Sequence, residues 1–182
     1  YALARHARAL DCTGGDVGFM VGLKEQGASF DGLAPLVAAG GRAIARLVAL
    51  PFPTIACVNG PAVGGGCNLA LACDLRIASD RASFGESFVR IGLHADWGGT
   101  FFLPRLVGTA RALELCWLGD MIDAAEALRI GLVNRVVPHE RLAEETKALA
   151  ARLATAPQVS VRIAKHTLRA SAHRTLEECL AA

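Results

Sequence analysis

No apolar run in this 182-residue sequence approaches the roughly 20 residues that a bilayer-spanning helix needs. No secretory signal is visible either, and the chain opens on Tyr1 rather than on methionine, so we interpret it as a fragment. The formal net charge is only +2, which argues against a general attraction to nucleic acid or to a membrane surface. These absences favour a cytoplasmic protein with neither nucleic acid nor membrane as a partner.

Metal-site spacing is also lacking. None of the six cysteines forms a Cys-x-x-Cys pair, and the five histidines show no ligand spacing, so we expect no metal. The cysteines lie mostly in apolar runs and are expected to be reduced core residues. With 53% hydrophobic and 20% charged residues, the chain is expected to fold as one globular domain.

Nucleotide-binding motifs are absent, although one glycine-rich stretch is prominent. It has neither the Gly-x-x-x-x-Gly-Lys-Ser/Thr pattern nor Gly-x-Gly-x-x-Gly. Instead, residues 54–58 predict a buried strand, Asn59-Gly60-Pro61 a turn, and 69–72 a short buried helix behind Gly64-Gly65-Gly66. Free N–H groups at such a helix start would stabilise an anion or a developing oxyanion. A tight packing turn is the alternative.

The remaining sequence alternates between strand and helix patterns, which indicates an α/β protein. Residues 74–78 and 132–137 predict further strands, and an amphipathic helix is expected around 41–50, before two prolines. Helical patterns continue over 111–118, 140–153 and 159–168. Another helix is expected to begin with a cap at Asp123 and to end at Gly131.

The run from Thr54 to Asp74, taken as a whole, closely resembles the signature of the crotonase family, also called the enoyl-CoA hydratase/isomerase family. The resemblance extends from Thr13 to about Ala170, whereas the first dozen residues depart from the family pattern. It implies a single domain, N-terminally truncated, with a spiral of ββα units over about 13–137 and a helical part over 138–182. It also implies a homotrimer or a dimer of trimers, and an acyl-CoA thioester as substrate without a separate cofactor.

The oxyanion-binding residues are carried over from the family. Thr13-Gly14-Gly15-Asp16-Val17 is similar to a family loop in which the N–H matching Gly15 is one oxyanion donor, and Asp16 lies near the substrate. Gly65 matches the second donor, and Gly64 lies beside it. Two such donors would hold the thioester oxygen and acidify the neighbouring carbon. A turn with Asp16 capping a helix is the alternative.

The two glutamates that the family's hydratases use are missing. Asn68 occupies the first position and Phe88 the second, counted from Phe84-Gly85. Glu86 is nearby, but on a helix it would lie about 200° around from position 88. Syn hydration asks for two proton-exchanging groups, so the pattern disfavours a hydratase.

Gly92-Leu93-x-x-Asp96-x-Gly98-Gly99-Thr100 resembles the family's isomerase branches, where the matching aspartate transfers a proton. The alternative is that Asp96 caps a helix that starts at Trp97. The expected substrate pocket includes His94 and Trp97 from this segment, together with Asn68 and Phe88. For His94 a polar or packing role is favoured.

We therefore predict an acyl-CoA isomerase in which Asp96, Gly15 and Gly65 are catalytic. Two alternatives stay open: a hydratase that uses Glu86, and a non-catalytic acyl-CoA-binding homologue.

Overall fold

The computed structural model describes residues 34–181, in which strands and helices alternate up to residue 137 and helices follow. The elements, in chain order, are α1 (Ala34–Val48), β1 (Ile55–Val58), β2 (Pro61–Val63), α2 (Gly65–Ala72), β3 (Leu75–Ser79), β4 (Ser83–Gly85), a 3-10 helix (Ser87–Ile91), α3 (Gly99–Val107), α4 (Thr109–Leu118), β5 (Ile122–Asp123), α5 (Ala124–Arg129), β6 (Arg135–Val137), a second 3-10 helix (His139–Arg141), α6 (Leu142–Thr155), α7 (Gln158–Ser171) and α8 (Leu176–Leu180).

Two three-stranded sheets are built from alternate strands. One sheet has the order β1-β3-β6, with both pairs parallel, and the other has the order β2-β4-β5. In the second sheet β2 and β4 are parallel, while β4 and β5 are antiparallel. From the first ββα unit to the second, the first strand therefore pairs with the first strand, β1 with β3, and the second with the second, β2 with β4. The last two strands continue both sheets, β5 beside β4 and β6 beside β3. Such stacking of successive units generates a spiral.

The hydrophobic core lies between these sheets and helices α2 to α5. Its largest fully buried apolar side chains are Phe84, Ile77, Leu103 and Leu132. Helix α2 is buried at seven of its eight positions, so its backbone sits deep in the molecule. The glycine-rich segment before α2 is thereby fixed from behind by the core.

Most predicted elements are found, with shifted limits. Strand β6 covers only Arg135–Val137, because residues 132 and 133 are buried loop residues whose N–H groups bond to the carbonyl of Ala127. The predicted helix over 41–50 is α1, which begins at Ala34. Glycine weakens a helix in isolation, but Gly40 is tolerated because the Trp97 ring occupies the space where its side chain would lie.

Asp74 ties helix α7 to the start of β3. Its carboxylate accepts hydrogen bonds from the Thr54 backbone and hydroxyl and pairs with Lys165 and Arg169, each at 2.7 Å. Burial opposes ionisation of this carboxyl, but the bonds from Lys165, Thr54 and Arg169 outweigh it, so the pKa of Asp74 is lowered. These two ion pairs anchor helix α7, none of whose residues is fully buried.

Within residues 34–181, no helix combines the length and the hydrophobicity that crossing a membrane requires.

Candidate active site

The glycine loop joins β2 to α2 through a conformation that requires glycine. Gly64 has φ +54° and ψ −120°, a region that L side chains rarely adopt. Its N–H donates to the carbonyl of Gly85 (2.8 Å), so this donor is used inside the protein. Helix α2 begins at Gly65, whose N–H belongs to the first turn and has no acceptor within the helix. The predicted strand and helix are found, but a further strand, β2, lies between β1 and the loop, and the helix begins at Gly65 rather than at residue 69. The oxyanion role of Gly65 stays a prediction.

Phe88 forms a wall beside this loop. It lies in the 3-10 helix Ser87–Ile91, which ends at Gly92 in the left-handed conformation. A β-carbon on Gly64 would lie 3.4 Å from the Phe88 ring. The second hydratase position therefore holds an aromatic ring packed over the glycine loop.

Asn68, at the first hydratase position, connects the glycine loop to the segment that carries Asp96. Its backbone N–H donates to the Gly64 carbonyl (2.9 Å), and its side-chain Nδ2 donates to the Asp96 carbonyl (2.9 Å). The side chain is fully buried and packs against the α-carbon of Gly99, where a β-carbon would lie 2.5 Å from Oδ1. The amide thus faces protein groups on both sides.

Asp96 lies in the turn before α3, and the alternative in which it caps a helix that starts at Trp97 is wrong. Helix α3 starts at Gly99 rather than at Trp97, and its cap position is Gly98. Trp97 (φ +41°) and Gly98 (φ +88°) are both left-handed, and these two successive residues turn the chain so that Asp96 offers its carbonyl, not its carboxylate, to the Gly99 N–H (2.8 Å).

The carboxyl group of Asp96 is left available by this turn. Its Oδ1 is buried and has no hydrogen-bond partner among residues 34–181. Burial raises the pKa of Asp96, and the nearby charge of His94 opposes that rise. A half-buried carboxyl with a free oxygen is suited to accept and return a proton.

Two neighbours of Asp96 have different surroundings. Trp97 donates from Nε1 to the Val37 carbonyl (3.2 Å) and packs against Gly40, so it joins α1 to the Asp96 turn. His94 is exposed, and its Nδ1 lies 2.9 Å from the Ala95 carbonyl. Trp97 therefore packs against α1, and its place in a substrate pocket stays a prediction. His94 lies at the surface end of the segment.

Glu86 differs from its sequence prediction. It is not helical but has φ −101° and ψ 60° at the end of β4, and only 1% of its surface is exposed. Its side chain is directed inward, beside Cys67 and Asn68, because β4 is a buried strand. The signal in the sequence is its place directly after the buried pair Phe84-Gly85.

The Glu86 carboxyl has an unusual proton affinity. Burial raises its pKa to about 7, the side chains of Cys67 and Asn68 favour the charged form, and the charge of Asp96 disfavours it. Neither the Cys67 nor the Asn68 side chain meets hydrogen-bonding geometry with Glu86, and both Glu86 carboxyl oxygens lack a partner among the described residues. The adjoining cavity of about 10 Å³ is walled mainly by apolar side chains and is at the lower limit for a single water.

Two carboxyl groups with raised pKa values, those of Glu86 and Asp96, therefore belong to residues that neighbour Asn68, close to a glycine loop at a helix start. No group of three or more His, Cys, Asp or Glu side chains suited to a metal ion occurs in the described part of the chain. Gly15 and Asp16, the other predicted site residues, lie outside the described residues. The arrangement is suited to proton transfer next to a bound carbonyl.

Comparison with known proteins identifies the class of protein that has this fold and site. The sequence profile described as enoyl-CoA hydratase/isomerase matches residues 10–182. The chain belongs to the enoyl-CoA hydratase/isomerase family, and the predicted crotonase fold is confirmed.

Individual relatives include both activities of the family. The crotonyl-CoA hydratase of Syntrophomonas wolfei is 45% identical over 84% of this chain and 56% of its own length. A monofunctional enoyl-CoA isomerase from M. smegmatis is 42% identical, with a TM-score of 0.71 over 76% of this chain and 66% of that one. A Thermobifida fusca YX protein solved in complex with CoA is 36% identical, with a TM-score of 0.79 over 83% of this chain and 59% of that one. The chain spans about half the length of the first sequence relatives it matches.

The buried carboxyl of Glu86 predicts a pH-dependent stability. An unfolded chain releases this proton near the ordinary value of 4.5, whereas the folded chain holds it up to about 7. Wild-type stability should therefore fall as pH rises from about 4.5 to 7, by on the order of 3 kcal/mol. Glu86→Gln removes the ionisation, so its gain over wild type should be larger at pH 8 than at pH 5.

Urea unfolding at the two pH values measures this difference. Glu177→Gln, on the exposed surface of α8, is the matched control and should give no pH-dependent gain. An equal effect of Glu86→Gln at pH 5 and pH 8 would contradict the raised proton affinity.

Proposed function

We propose that this chain is the core of an acyl-CoA isomerase in which the Asp96 carboxylate moves a proton along an unsaturated acyl chain. The observation that carries the proposal is the free, buried Oδ1 of Asp96, on a turn that the Asn68 amide attaches to the glycine loop. The CoA complex of the Thermobifida fusca relative supports a CoA thioester as substrate.

The proposed reaction begins with polarisation of the thioester. The thioester oxygen accepts a hydrogen bond from Gly65 N–H, and from Gly15 N–H if the family geometry carries over. Asp96 then takes a proton from the carbon next to the thioester, and the electrons of that C–H bond form an enolate. As the enolate collapses, the double bond moves one carbon closer to the thioester, and the protonated Asp96 returns its proton to the carbon at the far end of the original double bond.

Asn68 and Phe88 disfavour hydration for physical reasons. An amide cannot exchange protons as a carboxyl can, and the Asn68 Nδ2 already donates to the Asp96 carbonyl. The Phe88 ring lies over Gly64, and in our proposal it excludes the water that hydration requires. One carboxylate that both removes and returns a proton satisfies an isomerase, whereas syn hydration needs a second group.

Hydration through Glu86 is the second candidate function. The names of most sequence relatives are those of hydratases, and Glu86 is buried with a pKa of about 7, which is suitable for a general acid or base. A non-catalytic acyl-CoA-binding protein is the third possibility. The first test below separates the three candidates.

Asp96→Asn should lower the rate of 3-enoyl-CoA isomerisation by about 10²–10⁴-fold, because it keeps the size of the side chain but removes its basicity. Steady-state kinetics of double-bond migration measures this effect. Asp120→Asn is the control, since Asp120 is an exposed carboxylate paired with Arg90 on the surface. If crotonyl-CoA hydration survives Asp96→Asn but is lost in Glu86→Gln, the protein is a hydratase and not an isomerase. Inactivity in every assay would favour a non-catalytic acyl-CoA-binding protein.

The oxyanion role of Gly65 is tested by removing its N–H. Proline is tolerated at the first position of a helix, so Gly65→Pro removes one donor and should lower turnover by about 10²–10³-fold. Gly65→Ala is the matched control, because it adds a β-carbon and keeps the donor. Turnover that falls equally in both folded variants would show that steric change, not the lost donor, is responsible.

We also propose assembly into a trimer or a dimer of trimers, in accordance with the family. Helices α7 and α8 expose large apolar side chains that a single chain leaves in water. The exposed fractions are 62% for Val159, 57% for Ile163, 72% for Leu168, 69% for Leu176 and 79% for Leu180. Light scattering at micromolar concentration should give three or six times the chain mass, and a stable monomer would refute the proposal.

A further inference from the structure

Four buried side-chain oxygens without a hydrogen-bond partner are found in residues 34–181, and all belong to one cluster. They are Oδ1 of Asn68, both carboxyl oxygens of Glu86, and Oδ1 of Asp96. A buried polar atom left unpaired costs about 1–3 kcal/mol, so such atoms are rare in folded proteins. Their concentration at three neighbouring residues indicates that the cluster serves the reaction rather than the stability of the fold.

Asn68 is the central member of this cluster. One hydrogen of its amide group goes to the Asp96 carbonyl, and the rest of the amide faces Gly99 and the Glu86 carboxyl. An amide group has two hydrogens on one atom and an acceptor on the other, so its orientation depends on what surrounds it. The Glu86 carboxyl does not meet hydrogen-bonding geometry with this amide. A negative charge beside the amide still favours the orientation in which the nitrogen, rather than the oxygen, lies on the side of the carboxylate and reaches the Asp96 carbonyl.

We propose that Glu86 is a positioning residue for Asp96: its ionised carboxylate orients the Asn68 amide, which holds the Asp96 turn in its reactive position. The inference rests on the proposed function of Asp96. Protonation turns Glu86 from an acceptor into a hydrogen-bond donor. A donor at this place attracts the amide oxygen instead of the amide nitrogen, and the bond to the Asp96 carbonyl is then weakened.

The groups around Glu86 come from three parts of the chain. Cys67 on α2 and Cys116 on α4 lie close enough for Glu86 to affect their titration, and burial raises the pKa of both thiols. They therefore stay neutral around pH 7. Asp96 is the third group, and its charge helps to keep the Glu86 pKa near 7. Among the residues that the structure describes, Glu86 is thus the member of the cluster expected to titrate in the neutral range.

Activity alone cannot distinguish positioning from catalysis, so the test uses three variants. Wild-type kcat for isomerisation should rise with pH with an inflection near 7, with little change in KM. Glu86→Gln keeps an acceptor oxygen but cannot ionise, so the inflection should vanish. Glu86→Leu has no acceptor and should lower kcat at least 10-fold at every pH, and Glu177→Gln should keep the wild-type profile.

The contradicting outcomes are distinct. If Glu86→Leu is fully active, the carboxyl does not position Asp96. If Glu86→Gln retains the inflection near pH 7, another group titrates. If Glu86→Gln is as inactive as Asp96→Asn, Glu86 is a catalytic acid or base and not a positioning residue.

Nuclear magnetic resonance of the Asn68 side-chain amide provides a readout that needs no turnover. The signal is assigned by its loss in Asn68→Asp, and its shift should follow pH with a midpoint near 7 in wild type but not in Glu86→Gln. If the Asn68 signal titrates but the protein has no isomerase activity, Glu86 and Asn68 are coupled and the proposed function is rejected. If the signal does not change with pH but isomerisation requires Asp96, the coupling is rejected and the proposed function stands.

Discussion

The contact between Asn68 and the turn of Asp96 is the constraint on which the rest of the site depends. The Asn68 backbone fixes the Gly64 carbonyl, and its side chain fixes the Asp96 carbonyl. One residue of a buried helix thereby sets the distance between the glycine loop and the Asp96 turn. The contact is possible only because position 99 is glycine, since a side chain there would overlap the amide.

Stability and activity place opposite demands on this cluster. Burying Glu86 without a partner disfavours its ionised form, which is the form that orients the Asn68 amide in our account. Replacing Glu86 by a neutral residue is expected to stabilise the fold and to disturb the site. Unpaired buried groups of this kind often mark functional sites, where the surrounding structure keeps them in place. The spiral supplies that surrounding structure through β4 and α2.

Local signals in the sequence are sufficient to predict the helices and strands whose ends carry a strong cap or turn. Asp123 accepts a hydrogen bond from the Glu126 N–H at the start of α5, and Gly131 is left-handed just beyond its end, as predicted. The buried strand, glycine loop and short helix were likewise predictable, because glycine and apolar residues there have few alternatives. The family resemblance extended this local pattern to the whole spiral.

The parts that could not be predicted depend on contacts between distant residues. Asp96 does not cap a helix, because Trp97 adopts a left-handed conformation. The Trp97 indole N–H donates a hydrogen bond to the carbonyl of Val37, about 60 residues away in sequence. The sequence pattern places Glu86 on a helix, whereas in the structure it directly follows β4 and is buried by the packing of that strand. Periodicity describes neighbours along the chain, and neither the Trp97 contact nor the Glu86 environment is local.

A crystal structure with a non-reactive analogue of a 3-enoyl-CoA bound would test the central claim most directly. Our account predicts that the thioester oxygen accepts a hydrogen bond from Gly65 N–H, and that an oxygen of Asp96 lies about 3–3.5 Å from the carbon next to the thioester. Glu86 should remain behind Asn68, without contact to the acyl chain. A complex in which Glu86 reaches the acyl chain, or in which Asp96 is turned away from it, would contradict the account.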